Sequence, residues 1–333
     1  MEVTLATTSQ GLSKIEPRHF HGILNVRKPV GWTSHDAVLR LRRVFGIQKI
    51  GHAGTLDPAA TGVLPVLLGK GTKVANYLLE WEKEYVAVLR LGQATDTQDA
   101  TGTIIQESSV EGLAEADIRA AVREFEGEIQ QIPPMYSAVK VKGQPLYRAA
   151  RRGETVERRP RLVTIYRLET LAVRGCEVDL RVHCSKGTYI RTLCADIGNR
   201  LHVGGHLFWL ERSRVGPFRV QDALDIDELT DDDGLASTMR RAFLTIDEAL
   251  PQLPVVEVKD EDMKKVMNGV PIPWRDVLVS HDDCTSQLRE GQRVRMRDQQ
   301  GRLVAIGITV SSARSPGGHE GRSVRVETMC IER

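Results

Sequence analysis

The chain has 333 residues, with 46 Lys or Arg against 44 Asp or Glu, a formal net charge of +2, 41% hydrophobic and 27% charged residues. This composition excludes a wholly disordered or collagen-like chain, and the length exceeds what one core usually organises, so two domains are expected. No apolar run approaches the roughly 20 residues that span a bilayer. Residues 1–20 lack the apolar core and cleavage site of a secretory signal and read as a flexible leader. Five scattered cysteines (Cys176, Cys184, Cys194, Cys284, Cys330) without a C-x-x-C argue for a reducing, cytoplasmic setting. They also argue against a disulfide framework or a structural zinc.

In chain order, Ile23-Leu24-Asn25-Val26 is a short apolar strand ended by the turn signal Lys28-Pro29-Val30-Gly31. Thr33 or Ser34 caps a helix whose apolar face is Ala37, Val38, Leu41, Val44 and Phe45, closed by Gly46. Residues 51–62 carry no helical or strand period and read as loop. Tyr85–Leu91 is a strand, and residues 115–126 are helical, with Ile118, Ala121, Val122 and Phe125 on one face. Val178–Cys184 alternates strictly and runs into a helix with Ile190, Leu193, Cys194, Ile197 and Leu201 on one face. The stretches 222–238 and 250–254 are candidate domain boundaries. Beyond them, Arg293–Arg297, a turn at 298–301 and Leu303–Ile308 suggest a β-rich tail. The order of elements predicts an α+β catalytic domain, a mixed and largely antiparallel sheet with flanking helices, plus a small β-rich C-terminal domain.

Net charge conceals a local pattern. Residues 140–167 hold nine basic residues (Lys140, Lys142, Arg148, Arg151, Arg152, Arg158, Arg159, Arg161, Arg167) against only Glu154 and Glu157, with Tyr147 and Tyr166 interleaved. Such a run suits a phosphate backbone, although a solvated charged loop has the same composition.

Several chemistries can be set aside. Gly62 to Gly71 does not satisfy the phosphate-loop spacing, because Leu64 and its neighbours break G-x-x-x-x-G-K-[ST]. His202 and His206 flank two glycines without an H-E-x-x-H, and neither a G-x-S-x-G nor a strand-linked G-x-G-x-x-G occurs. No cofactor and no metal is expected.

The informative segment is Gly51-His52-Ala53-Gly54-Thr55-Leu56-Asp57-Pro58-Ala59-Ala60-Thr61-Gly62. Its glycines permit close backbone approach, and Pro58 pushes Asp57 out of the helical region. With Val63-Leu64 it meets every specified position of G-H-x-G-x-L-D-P-x-A-x-G-x-L, and so resembles the hallmark of the TruB family of tRNA pseudouridine synthases. Leu24–Ser34 resembles the family's first motif, and Lys83-Glu84-Tyr85 with Leu91–Thr97 its tyrosine motif. Pro133–Lys140 and Tyr147–Arg151 resemble its RNA-gripping insertion, and Cys184–Arg191 its arginine motif. Ordered matches cover residues 22–220. Weaker cues at Asn268–Ile272 and Gly301–Gly307 resemble a PUA-type RNA-binding domain over residues 254–333.

The resemblance implies a catalytic domain at 21–250, with its RNA-gripping insertion near 133–167. It makes Asp57 the nucleophile, Arg191 its ionic partner and Tyr85 the ring that stacks on the flipped uracil. An isolated strand tyrosine would otherwise be read as core. His52 would fill the space vacated by the extruded base, Tyr189 and Leu210 would border the uridine, and Lys28 would support the loop. Lys140, Arg148, Arg151, Arg152, Arg158 and Arg159 would grip the RNA backbone. The implied reaction converts the uridine at position 55 in the T-arm of tRNA to pseudouridine. Attack at C1′, addition at C6 and a glycal route are all compatible with one carboxylate. The implied enzyme is a monomer acting on tRNA without an obligatory protein partner or membrane. An RNA-binding, tRNA-folding chaperone with dispensable catalysis is a distinct alternative; a guide-RNA-dependent relative is another.

Overall fold

The computed structural model describes residues 21–137, 139–141, 143–154, 156–229, 241–279, 288–312 and 321–331; the leader at 1–20 and Cys284 lie outside them. The first apolar run forms β1 (Gly22–Lys28), followed by α1 (Ser34–Phe45). Thr33 caps α1 with a complete capping box shared with Asp36, and Gly46 ends the helix at φ 64°. β2 (Ile50–His52) and β3 (Thr61–Leu68) bracket the Asp57 loop, so the stretch at 51–62 is loop only in its middle. β3 is buried along its whole length, as a strand covered on both faces must be.

α2 (Ala75–Leu79) precedes β4 (Lys83–Leu91), whose odd-numbered residues are buried. β5 (Gln93–Thr95) and β6 (Ile104–Glu107) form a small hairpin, then come α3 (Glu115–Arg123) and β7 (Gly127–Gln131). α3 stops at Arg123, three residues before the predicted end, although Phe125 still packs on the core. The insertion consists of β8 (Lys140–Val141), β9 (Gln144–Pro145) and α4 (Leu146–Arg151). β10 (Arg161–Arg174) and β11 (Glu177–Cys184) follow, then α5 (Ile190–Arg200), β12 (Gly205–Val215), β13 (Phe218–Arg219), β14 (Leu224–Asp225) and β15 (Phe243–Thr245).

These strands build one eleven-stranded sheet, ordered β14-β1-β3-β12-β4-β11-β10-β7 with β2, β13 and β15 pairing alongside. Along that order only β1–β14 and β3–β12 are parallel. α3 and α5 cover one part of the sheet and α1 another. Two expectations change here. Residues 222–229 are not linker, since Leu224 pairs with Val26 and Ile226 and Leu229 enter the α1 core; residues 230–238 lie outside the described residues. The end of the basic run is strand, because Val163 and Ile165 are buried in β10 while Arg161 and Arg167 are exposed. Charge marks an exposed face but not its backbone conformation.

The C-terminal part contains β16 (Val255–Val258), α6 (Met263–Met267), β17 (Ile272–Pro273), β18 (Val277–Val279), β19 (Arg293–Arg297), β20 (Leu303–Ser312) and β21 (Gly321–Met329). Its six strands run β17-β21-β20-β19-β16-β18 around a separate core that includes Val256, Val294, Met296 and Val324. The two parts share apolar contacts, with Ile306 and Cys330 packed among Tyr77, Trp81, Val215 and Leu250. Asp247 meets Arg295 at 3.1 Å and Arg297 at 2.7 Å across the same junction. Among the described residues, no helix is long and apolar enough to cross a membrane.

Candidate active site

The Asp57 loop is tied to the β1–α1 turn from several directions. Ser34 Oγ accepts from Leu56 N at 2.9 Å and donates to Leu56 O at 3.2 Å. Gly31 N donates to Pro58 O at 2.8 Å, and Thr61 Oγ1 donates to Lys28 O at 2.6 Å. Lys28 is fully buried and spends its ammonium on Pro29 O (2.7 Å), Trp32 O (2.8 Å) and Pro58 O (3.4 Å). Burial lowers its pKa to about 8, against the pull of Asp57. Gly62, at φ 105°, is required by the close approach of β3 to β12: a Cβ there would lie 2.3 Å from Arg212 O.

Arg191, in the first turn of α5, places Nε 2.9 Å from Asp57 Oδ2. Its other nitrogens donate to Thr97 O (3.3 Å) and Tyr136 O (2.8 Å), and Nη1 stands 3.8 Å from Asp99 Oδ2. The Asp57 side chain keeps 44% of its surface accessible, against 6% for Arg191. The carboxylate therefore faces outward while protein crowds its flanks. Desolvation raises its pKa; Arg191 and Lys28 oppose that rise and Asp99 adds to it.

Tyr85 is buried in β4, directly opposite Arg212 of β12. Burial pushes its phenol to about 12, so it is protonated at neutral pH. Leu210 is buried in the same cluster as Tyr85 and Leu56, forming an apolar floor. Tyr189 is half-buried at the start of α5, its backbone held by Gln131 at 3.0 and 3.3 Å. His52 ends β2 with a buried Nδ1 that has no hydrogen-bond partner among the described residues, and burial lowers its pKa, aided by Arg212 and His35.

The geometry thus brings Asp57 and Arg191 into contact and sets Tyr85 and Leu210 in one cluster. The basic residues fare differently. Arg148 and Arg159 are exposed, but Arg152 forks onto Glu154 at 2.7 and 2.9 Å, and Arg158 donates to Pro133 O at 3.0 Å. For Lys140 and Arg151 only the backbone is described. Sequence reading missed three contributors: Asp99, Gln131 and Arg212. Arg212 stands two residues beyond Leu210, and Asp99 two beyond the tyrosine motif, so proximity to recognised motifs was the available signal. Among the described residues, no group of three or more His, Cys, Asp or Glu is placed to hold a metal ion. An outward carboxylate paired with a guanidinium beside a phenol and an apolar wall suits nucleophilic or base chemistry on a flat substrate.

Two family models match the chain: the N-terminal domain of TruB family pseudouridylate synthase over residues 42–190, and the tRNA pseudouridylate synthase B C-terminal domain over 191–251. The tRNA pseudouridine synthase B of Saccharophagus degradans is 40% identical over 301 residues, covering 89% of this chain and 94% of that protein. Its counterpart from Clostridium kluyveri is 44% identical over 251 residues, covering 75% and 85%. Among solved structures, a Cbf5-Nop10-Gar1 complex aligns with TM-score 0.73 and 32% identity, covering 93% of this chain and 85% of that one. An H/ACA RNP bound to a substrate RNA containing 2'-deoxyuridine aligns with TM-score 0.72 and 29% identity, covering 96% and 90%. Two adjoining family models and relatives of this identity and coverage agree with the motifs, and the chain belongs to the TruB family of pseudouridylate synthases.

Proposed function

We propose that this enzyme isomerises the uridine at position 55 in the T-arm of tRNA to pseudouridine, with Asp57 as the reacting carboxylate. The observation that carries the reading is the 2.9 Å pair between Asp57 and Arg191. The guanidinium opposes the desolvation of Asp57 and so preserves the anion that the reaction needs. Tyr85 stacks on the extruded uracil over Leu210, Tyr189 borders it, and His52 fills the vacated space in the RNA. Lys28 holds the loop by its backbone carbonyls. Identity supports tRNA as the substrate, since relatives named tRNA pseudouridine synthase B stand at 40% and 44%, against 29% and 32% for the RNP-associated structures. Residues 21–250 form the catalytic domain and 254–333 a PUA-like RNA-binding domain. The insertion offers exposed Arg148 and Arg159 to phosphates. The enzyme works as a monomer in the cytoplasm and without a cofactor; the isomerisation is redox-neutral and so needs no electron carrier.

Carbodiimide labelling and sequencing of an unmodified tRNA transcript tests the reading. Wild-type protein should mark the T-arm uridine, while Asp57→Asn should bind tRNA within a few-fold and leave it unmodified. Appreciable turnover by Asp57→Asn would overturn the assignment.

A further inference from the structure

Arg212 is 2% exposed and lies in the middle of the sheet, on a strand flanked by β3 and β4. A buried guanidinium must place its donors, since each unmet one costs the desolvation of a charged group. Nε donates to Val63 O at 2.8 Å, Nη2 to Gly54 O at 2.9 Å and Nη1 to Thr55 O at 3.4 Å. Gly54 and Thr55 lie before Asp57 in the chain, and Val63 lies after it. One planar group therefore ties both arms of the loop together. Its cross-strand partner on the neighbouring strand is Tyr85.

We propose that Arg212 is a positioning residue of the reaction, clamping the two arms of the Asp57 loop and the Tyr85 strand into one frame. It acts through Asp57 and Tyr85 and rests on the functional reading above. A fork of fixed donors is needed, because the three carbonyls are met by three different nitrogens. The one nitrogen of a lysine serves only carbonyls that converge on a single point, as those around Lys28 do. Gly54 supplies one of the three acceptors and holds a φ of 91°, which side-chain-bearing residues rarely adopt.

Arg212→Lys preserves the charge and loses the fork. Single-turnover rates at saturating enzyme, tRNA affinity and circular dichroism should be measured beside wild type and Asp57→Asn. A loop displaced by about 1 Å costs on the order of 100-fold in rate. The expected result for Arg212→Lys is a loss of that size, with affinity within threefold and an unchanged fold. A rate within threefold of wild type would overturn the proposal, as would an affinity that falls in step with the rate. If Arg212→Lys does not fold, Arg212→Gln, which keeps a planar head with fewer donors, decides: the same loss of rate with retained affinity supports the clamp, and an unchanged rate overturns it. An active Asp57→Asn would instead sink the functional reading itself, so the two failures are separable.

Discussion

Arg191 donates Nη2 to the backbone oxygen of Tyr136 at 2.8 Å, while its Nε meets Asp57. The guanidinium beside Asp57 is thereby fastened to the segment that enters the basic insertion. Arg158 donates to Pro133 O in that same segment. On the proposed reading, RNA held by the insertion would therefore bear on the placement of Arg191.

This linkage separates the arginines. Replacing Arg148 and Arg159 with Gln should weaken tRNA binding and flatten its salt dependence by about 0.7–0.9 in slope per lost phosphate contact. The single-turnover rate on bound tRNA should stay near wild type. Arg158→Gln should lower that rate several-fold as well, because it releases Pro133. Binding titrations at several salt concentrations beside rapid-quench kinetics distinguish the two patterns; equal behaviour would refute the linkage.

The pH profile should follow Asp57. Burial raises its pKa above the usual carboxylate value and Arg191 is the largest opposing influence. On the proposed mechanism the ionised carboxylate is the reactive form, so the rate should fall as pH drops through that pKa. Removing the cation in Arg191→Met moves the acid limb to higher pH. Single-turnover rates of this variant should therefore fall further below wild type at pH 6 than at pH 8; a constant ratio would disprove it.

Lys28 makes a separate prediction about stability. Its folded pKa of about 8 lies below the value of about 10.4 for an unfolded lysine. Between those values the unfolded state holds one more proton, so its contribution to stability rises with pH. Below about 8 both states are protonated, and the burial penalty is present in full. The stability difference between wild type and Lys28→Met should thus shift in favour of wild type from pH 8 to pH 10, by at most about 3 kcal/mol. Lys83, lowered to about 8 by burial, titrates in both proteins and cancels in the comparison. Urea unfolding at three pH values measures it, and a pH-independent difference counts against the buried charge.

The junction between the two parts sets the fourth expectation. Removing residues 254–333 uncovers the side of Tyr77, Trp81 and Leu250 that packs on Ile306 and Cys330. It also removes the partners of Asp247 and the 3.0 Å contact of Tyr77 with Glu327. Calorimetry should show the remaining N-terminal part melting lower by more than about 5 °C, the scale of a loss of 1–2 kcal/mol in a domain of this size. An unchanged melting temperature would show that the C-terminal part is merely appended.

Local patterns in the sequence determined the elements whose cause is local. The Thr33 cap and Gly46 stop of α1, the alternation of β4 and β11, and the apolar face of α5 are each written within a dozen residues. The Asp57 loop was legible as a site through its resemblance to a family motif, since its glycines and Asp-Pro step by themselves read as turn chemistry. What tertiary structure decided depends on residues far apart in the chain. β3 escaped a reading by period because burial on both faces removes alternation. Arg152 and Arg158 resemble their basic neighbours until Glu154 and Pro133 O are placed beside them. Arg212 is marked in the sequence only by standing two residues beyond Leu210; its role arises from parallel pairing of β12 with β3 at Gly62 and antiparallel pairing with β4 at Tyr85. Only the assembled sheet brings the Gly54, Thr55 and Val63 carbonyls around one buried guanidinium, where unmet donors would be too costly to leave.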